Sequence, residues 1–191
     1  MSANRLTHGE LRSELLALNV GHLIIIWAQI DAVLSGVSRI LFEFMGGHPS
    51  EAALPRSFSR KLAFVRKCYA AKAELAPDGA AMAAILSRAA KLVIDRNTLA
   101  HGALIDEGAG SLTMLRLDMI KSDELDVREY TPETVSKVVM ESADLLSDLI
   151  ALAWHLKQFI PDDLVGHSGS ELAQEFVRRF PPIDLTNEEA S

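Results

Sequence analysis

Apolar residues recur at positions 11, 15, 18, 26, 30, 33, 37, 40 and 44, with His22 filling the one gap in the row. A three-four spacing held for about ten turns is the period of an α-helix. Thr7-x-x-Glu10 before it reads as a capping box, and Gly46-Gly47 after it supplies a stop. The residues therefore predict one long helix, with Gly21 as the place for a kink. A helix this long and apolar has to be covered by other elements, and that requirement organises the rest of the chain.

Three further segments carry the same period. Pro55 opens a second helix with Phe58, Leu62, Val65 and Tyr69 on one face and Arg and Lys elsewhere. Pro77-Asp78 starts a third, alanine-rich helix with Met82, Ile85, Ala89 and Leu92 turned inward. Thr131-Pro132 is a good helix start, an N-cap followed by proline at the first helical position. The stripe behind it, 135, 138, 142, 145, 149, 152, 156 and 159, is interrupted only by Ser142, and Pro161 ends it.

Residues 103–130 switch to alternation. Leu115, Leu117 and Met119 are separated by Arg116 and Asp118, and Leu125 and Val127 by Asp126. That is the period of strands, with turns at 107–110 and 121–123. The expected fold is all-α in the main: an up-and-down four-helix bundle with a small antiparallel β insertion after the third helix. The bundle takes residues 1–160, with the insertion at about 103–130. Residues 161–191 form an extension with a short helix near 170–179 and a polar tail at 186–191.

Composition narrows the function classes. The chain has 191 residues and one cysteine, Cys68, so neither an internal disulfide nor a paired-cysteine metal site can form. Six histidines are scattered, and no two stand three or four apart, so no metal site is expected from residues close in sequence. No secretory signal is visible, and the greasiest run, residues 23–28, is far shorter than a membrane span. A reduced, cytoplasmic setting away from membranes is expected.

The net charge is −7, which argues against indiscriminate nucleic-acid binding. Residues 55–101 nonetheless carry +6, leaving −13 for the remainder. Such a basic middle is either a solvated face paired with acidic neighbours or a local anion-binding surface.

The third helix closes on DRNTLAH, residues 95–101, followed by Gly102. The inward phase 82, 85, 89, 92 continues at Arg96, and burying a guanidinium there is costly unless it meets a carboxylate, solvent or a second subunit. Asp31, beside Trp27 and Ile30, is a candidate carboxylate; an exposed acid on a helix flank is the other reading. Asn97 and His101 are four apart, so an amide could orient the imidazole. Arg96 and His101 are five apart, about 140° on an ideal helix. They converge only if the arginine reaches around, the last turn distorts, or a second chain supplies half the site. The plain alternative is structural, with His101 a cation suited to the helix dipole and Gly102 the residue ending the helix. By composition alone, R-N-x3-H arises in about one such chain in a hundred.

RNTLAH resembles the R-[polar]-x3-H signature of the HEPN (higher eukaryotes and prokaryotes nucleotide-binding) superfamily. Trp27-x-x-Ile30-Asp31 and Phe58-x-x-Lys61-Leu62 fit the helix layout of many HEPN-like proteins, over about residues 10–160. The resemblance implies a metal-independent endoribonuclease, without a cofactor, working as a homodimer whose two motifs face each other. In that implied site His101 is the general base or acid, Arg96 clamps the phosphate, and Asn97 orients His101. Arg88 and Lys91, one and two turns earlier, either extend the anionic track or are solvated surface, and the second reading is the stronger. A toxin–antitoxin or phage-defence role follows, with an antitoxin or nucleotidyltransferase as partner. Ala103 stands where some HEPN toxins carry a modifiable tyrosine. The alternative is a non-catalytic HEPN-like module that dimerises or docks on another protein. His22 and His155, at the edges of the stripes, read as core histidines.

Overall fold

The computed structural model describes residues 7–108, 111–116 and 126–160. Helix α1 spans His8–Glu43, α2 Phe58–Ala71, α3 Gly79–His101 and α4 Pro132–Leu156. Short 3-10 turns at Ala73–Asp78 and Lys157–Phe159 precede α3 and follow α4. Strands β1 (Ala103–Gly108), β2 (Ser111–Arg116) and β3 (Asp126–Tyr130) form one antiparallel sheet in that order between α3 and α4. The chain is thus a mainly helical bundle with a small sheet after its third helix. The expected C-terminal helix and extension, together with Leu117, Met119 and Leu125, lie outside the described residues.

The punctuation acts through the chemistry that predicted it. Thr7 accepts from the Glu10 N–H at 3.3 Å and its own N–H donates to the Glu10 carboxylate at 2.6 Å, a complete capping box. Gly46 and Gly47 take φ of 74° and 61°, the left-handed region that glycine enters freely, and the Gly47 N–H donates to the Leu41 carbonyl at 2.8 Å. Thr131 caps α4 reciprocally with Thr134, with Pro132 in the first turn.

Contacts fix the helix directions. Along α1 and α2, Trp27 packs edge-on against Phe58 with ring centroids 5.2 Å apart, Asp31 meets Lys61, Phe42 meets Phe64, and Lys72 donates to the Met45 carbonyl. The pairs ascend together, so α2 runs in the same sense as α1. This corrects the up-and-down expectation for the first pair: the link of residues 44–57 returns the chain to the level of Trp27 before α2 begins. Arg88–Asp148 and His155–Asp78 set α3 antiparallel to α4. His155, expected in the core, is exposed and lies 3.5 Å from Asp78.

The expected stripe on α1 holds in its second half, where Ile30 and Val37 are buried and Ile26, Val33 and Ile40 pack against the core, and fails in the first. The core residues of the helix are Leu16, Leu23, Trp27, Ile30, Leu34, Val37 and Leu41, while Leu11, Leu15 and Leu18 are exposed. The reason is local: no charge occurs between Glu14 and Asp31, so this part of the helix is apolar around most of its circumference and periodicity cannot select one side. By length and composition alone the segment from Gly9 to Glu43 could cross a membrane. Here its buried stripe is part of the hydrophobic core shared with α2, α3 and α4. On α3, Met82, Ile85, Ala89 and Leu92 are buried as expected, and on α4 so are Val135, Leu145, Leu149, Leu152 and Leu156.

Two polar pairs tie the core together. Ser142, the break in the α4 stripe, accepts the indole N–H of Trp27 at 3.1 Å, so the hydroxyl satisfies a buried donor from α1. Lys61 is only 6% exposed, and its ammonium donates to both Asp31 oxygens, at 2.8 and 3.0 Å, and to Ser35 at 2.8 Å. All three of its protons have acceptors. The Asp31 side chain keeps 48% of its exposure, so the two partners are unequal when the pair is broken.

Removing the acid strands a buried ammonium, whereas removing the ammonium leaves a carboxylate that water can reach. Urea unfolding should show Asp31→Ala losing about 3 kcal/mol and Lys61→Met about 1 kcal/mol. Equal losses would contradict this assignment. Ser142→Ala, which leaves the indole N–H without an acceptor, should cost about 1–3 kcal/mol in the same measurement.

Candidate functional site

Arg96 continues the inward phase of α3, and its long stem lets its head leave that phase. Its Nη1 donates to Asn97 Oδ1 at 2.9 Å and lies 3.3 Å from His101 Nε2. Of the three ways the pair could converge, the guanidinium reaching around within one chain is the one observed. His101 is exposed, and Arg96 and Asn97 are half-buried. For Nε2 to face a donor it must carry the lone pair, which places the ring proton of a neutral His101 on Nδ1. The Nε atom of Arg96 is buried and has no hydrogen-bond partner among the described residues.

Two expectations about these partners are corrected. Asp31 does not hold Arg96: its carboxylate is taken by Lys61, which reaches it from α2 at the same level. Asn97 does not orient His101 through a hydrogen bond; its carbonyl oxygen receives Arg96, so the amide fixes the guanidinium instead. The weaker candidates lie apart from the cluster. Arg88 pairs with Asp148 on α4, and Lys91 is exposed on α3.

The end of α3 is held by residues that the sequence reading passed over. Asp95, next to Arg96, accepts from Arg128 at 2.8 Å and from the Tyr130 hydroxyl at 2.9 Å, both on β3. Thr98, buried one turn later, returns its hydroxyl to the Ile94 carbonyl at 2.9 Å. Gly102 caps the helix with φ of −68°, so its need for glycine is not conformational. A Cβ there would stand 2.4 Å from the Thr98 carbonyl oxygen and 3.1 Å from that of Leu115, so glycine permits β2 to close against the helix end. The sheet thus braces the turn that presents His101. Asp95 had a signal, since it is the single acid within the motif segment; its partners, 33 and 35 residues away, had none.

Beside the cluster lies a groove of about 620 Å³ between α2 and α3, with Trp27 and Asp31 of α1 contributing to its lining. Arg96 and Asn97 line it, as do Arg56 and Arg66. Among the described residues, no group of three His, Cys, Asp or Glu side chains is placed to hold a metal ion. The arrangement is therefore a histidine nitrogen beside a fixed guanidinium at the mouth of a cationic groove. It can bind a phosphate and exchange a proton next to it. No protein-family model, curated protein or solved structure matches the chain.

The sheet brace has an alkaline signature. Burial first, and then the Asp95 charge, push the Tyr130 phenol up to about 12 from 10.0. Burial and then Asp78 do the same to Tyr69, also to about 12, and its buried hydroxyl has no partner among the described residues. Both shifts favour the neutral phenol in the folded chain, so their stabilisation is present below pH 10 and is lost as pH rises toward 12. The thermal midpoint should fall across that window, and it should fall less in a Tyr69→Phe/Tyr130→Phe chain. An identical fall in both chains would contradict the assignment.

Proposed function

We propose that this chain is a metal-independent endoribonuclease of the HEPN type, and that Arg96, Asn97 and His101 are its reacting cluster. The observation that carries the reading is the 3.3 Å approach of Arg96 Nη1 to an exposed His101 Nε2. A guanidinium supplies two parallel donors to a phosphate and stabilises charge developing on it. Histidine is the side chain suited to take and return a proton near neutrality.

In the proposed reaction the incoming phosphate draws Arg96 Nη1 off His101 Nε2, and the lone pair so freed removes the proton of an RNA 2′-hydroxyl. The 2′-oxygen attacks the adjacent phosphorus as the bond from phosphorus to the 5′-oxygen breaks. The departing 5′-oxygen takes a proton from a second acid. The products are a 2′,3′-cyclic phosphate and a 5′-hydroxyl end. A homodimer with two motifs face to face would supply the second acid as the other copy's histidine. Arg96 holds the phosphate throughout, and Asn97 keeps Arg96 aimed at it. A role in toxin–antitoxin or phage-defence systems, in the cytoplasm and with an antitoxin or nucleotidyltransferase as partner, belongs to the same reading.

A second reading has its own observation. Leu11, Leu15, Leu18 and Ile25 on α1 and Trp154 on α4 are exposed, the last at 70%, and exposed apolar side chains of this size suit a docking face. Under that reading the chain is a non-catalytic module that dimerises or docks on another protein.

The two readings separate on purified protein. RNA incubated with the chain in EDTA should be cut to cyclic-phosphate ends. His101→Ala should lower the rate by about 10²–10⁴-fold with the fold unchanged by circular dichroism. Arg96→Lys should also lose most of the activity, since an ammonium cannot span Asn97, His101 and a phosphate as a fork does. Wild-type and His101→Ala chains equally inert on total RNA, tRNA and mRNA would exclude the nuclease. Growth arrest on expression of the wild type, relieved by His101→Ala, separates it from a docking module.

A further inference from the structure

Part of the basic middle of the sequence is ion-paired within the fold, and three of the cations without a described ion pair meet in one place. Lys61 pairs with Asp31, Arg60 and Lys67 with Glu51, and Arg88 with Asp148. Lys72 donates to the Met45 carbonyl. The remaining cations of residues 55–101 are Arg56, Arg66, Lys91 and Arg96, and three of these four line the groove between α2 and α3. Arg56 and Arg66 are exposed and form no ion pair among the described residues. Asp31 also lines the groove, but its charge is offset by Lys61.

Three guanidiniums around one groove repel one another unless an anion comes between them. The groove also runs past the start of α2, where Ser57 makes no side-chain capping bond and the first turn holds no acid. The N–H groups of that turn add to the attraction for an anion. The surface between the cations is apolar or small: Phe58, Leu62 and Val93, with Ser59, Ala63 and Ala90 leaving the groove open. Cations along a groove with an aromatic and aliphatic floor are what a single-stranded nucleic acid requires, phosphates on the one and bases on the other.

We infer that the α2–α3 groove is the binding track for the RNA strand flanking the cut, with Arg56 and Arg66 holding phosphates and Phe58 meeting a base. This rests on reading the Arg96–His101 cluster as an RNA site. It assigns the track to residues on and before α2. Arg96 belongs to both parts, since it lines the groove and touches His101. The strand therefore reaches the histidine from the groove side of α3, away from the flank where Arg88 meets Asp148.

The test uses the full chain carrying His101→Ala, which leaves the strand intact, and a fluorescent single-stranded RNA of about ten nucleotides. Anisotropy titrations over a salt series compare it with Arg56→Ala/Arg66→Ala, Arg56→Lys/Arg66→Lys and Arg39→Ala in the same background. Arg39, exposed on α1 and paired with Glu43, is the control for loss of a cation elsewhere. The alanine pair should weaken binding by tenfold or more, and the slope of log affinity against log salt should shrink by about 1.4, ~0.7 for each lost phosphate contact. The lysine pair should keep most of the affinity, and Arg39→Ala should stay within twofold.

Unchanged affinity in the alanine pair, or an equal loss in Arg39→Ala, would overturn the track. Displacement of the strand by ATP at micromolar concentration would overturn it too, by making the groove a mononucleotide pocket. The nuclease reading is scored separately. A chain that binds RNA through Arg56 and Arg66 but cuts none keeps the track and loses the nuclease; one that cuts RNA while the alanine pair binds and cuts as well as wild type keeps the nuclease and loses the track.

Discussion

A charged side chain on the inward row of a helix must find a way out, and the arrangement around Arg96 follows from that requirement. Its aliphatic stem lies where the next core residue of α3 would stand, and its buried Nε has no partner among the described residues. The terminal nitrogen emerges at the groove, where Asn97 receives it and His101 lies within reach. No described carboxylate neutralises the guanidinium, and its charge remains available to an anion. A guanidinium without a described carboxylate, beside an exposed imidazole, is the arrangement on which the proposed chemistry rests.

The surrounding bundle holds that point still. Lys61 locks α2 to α1 through Asp31 and Ser35, and Trp27 is fixed against Phe58 and Ser142. These contacts set the floor and one wall of the groove. On the other side Asp95 binds two side chains of β3, and Gly102 lets β2 approach the last turn of α3. The β insertion, which a four-helix bundle does not need, therefore supports the residues on which the proposed chemistry depends. Of three consecutive residues, Asp95 faces the sheet, while Arg96 and Asn97, bonded to each other, line the groove.

How much of this was legible in the sequence depended on the range of the interaction. The capping box at Thr7, the stop at Gly46-Gly47 and the Thr131-Pro132 start act over a few residues and could be read directly. The inward rows of α3 and α4 were clear because charges mark their outer faces. The first half of the row on α1 was misplaced because nothing charged marks the outside of residues 15–30. Pairings across the chain were invisible. Asp31 is a candidate partner for Arg96 in the sequence because both look inward, but the buried Lys61 holds its carboxylate, and a lysine in a basic segment gives no hint of burial. Arg56 and Arg66 stood within an evident basic stretch. Only the fold shows that Arg60, Lys61 and Lys67 have carboxylate partners while Arg56 and Arg66 have none among the described residues.

The central claim is that Arg96 and His101 act as one unit. A double-mutant cycle on RNA cleavage, with Arg96→Ala, His101→Ala and the double variant assayed by initial rate, measures that directly. Groups that serve a single transition state are non-additive, so the double variant should be no slower than the slower single variant. Losses that multiply, with the double variant slower by the product of the two single effects, would mean that the two side chains act independently and would contradict the account.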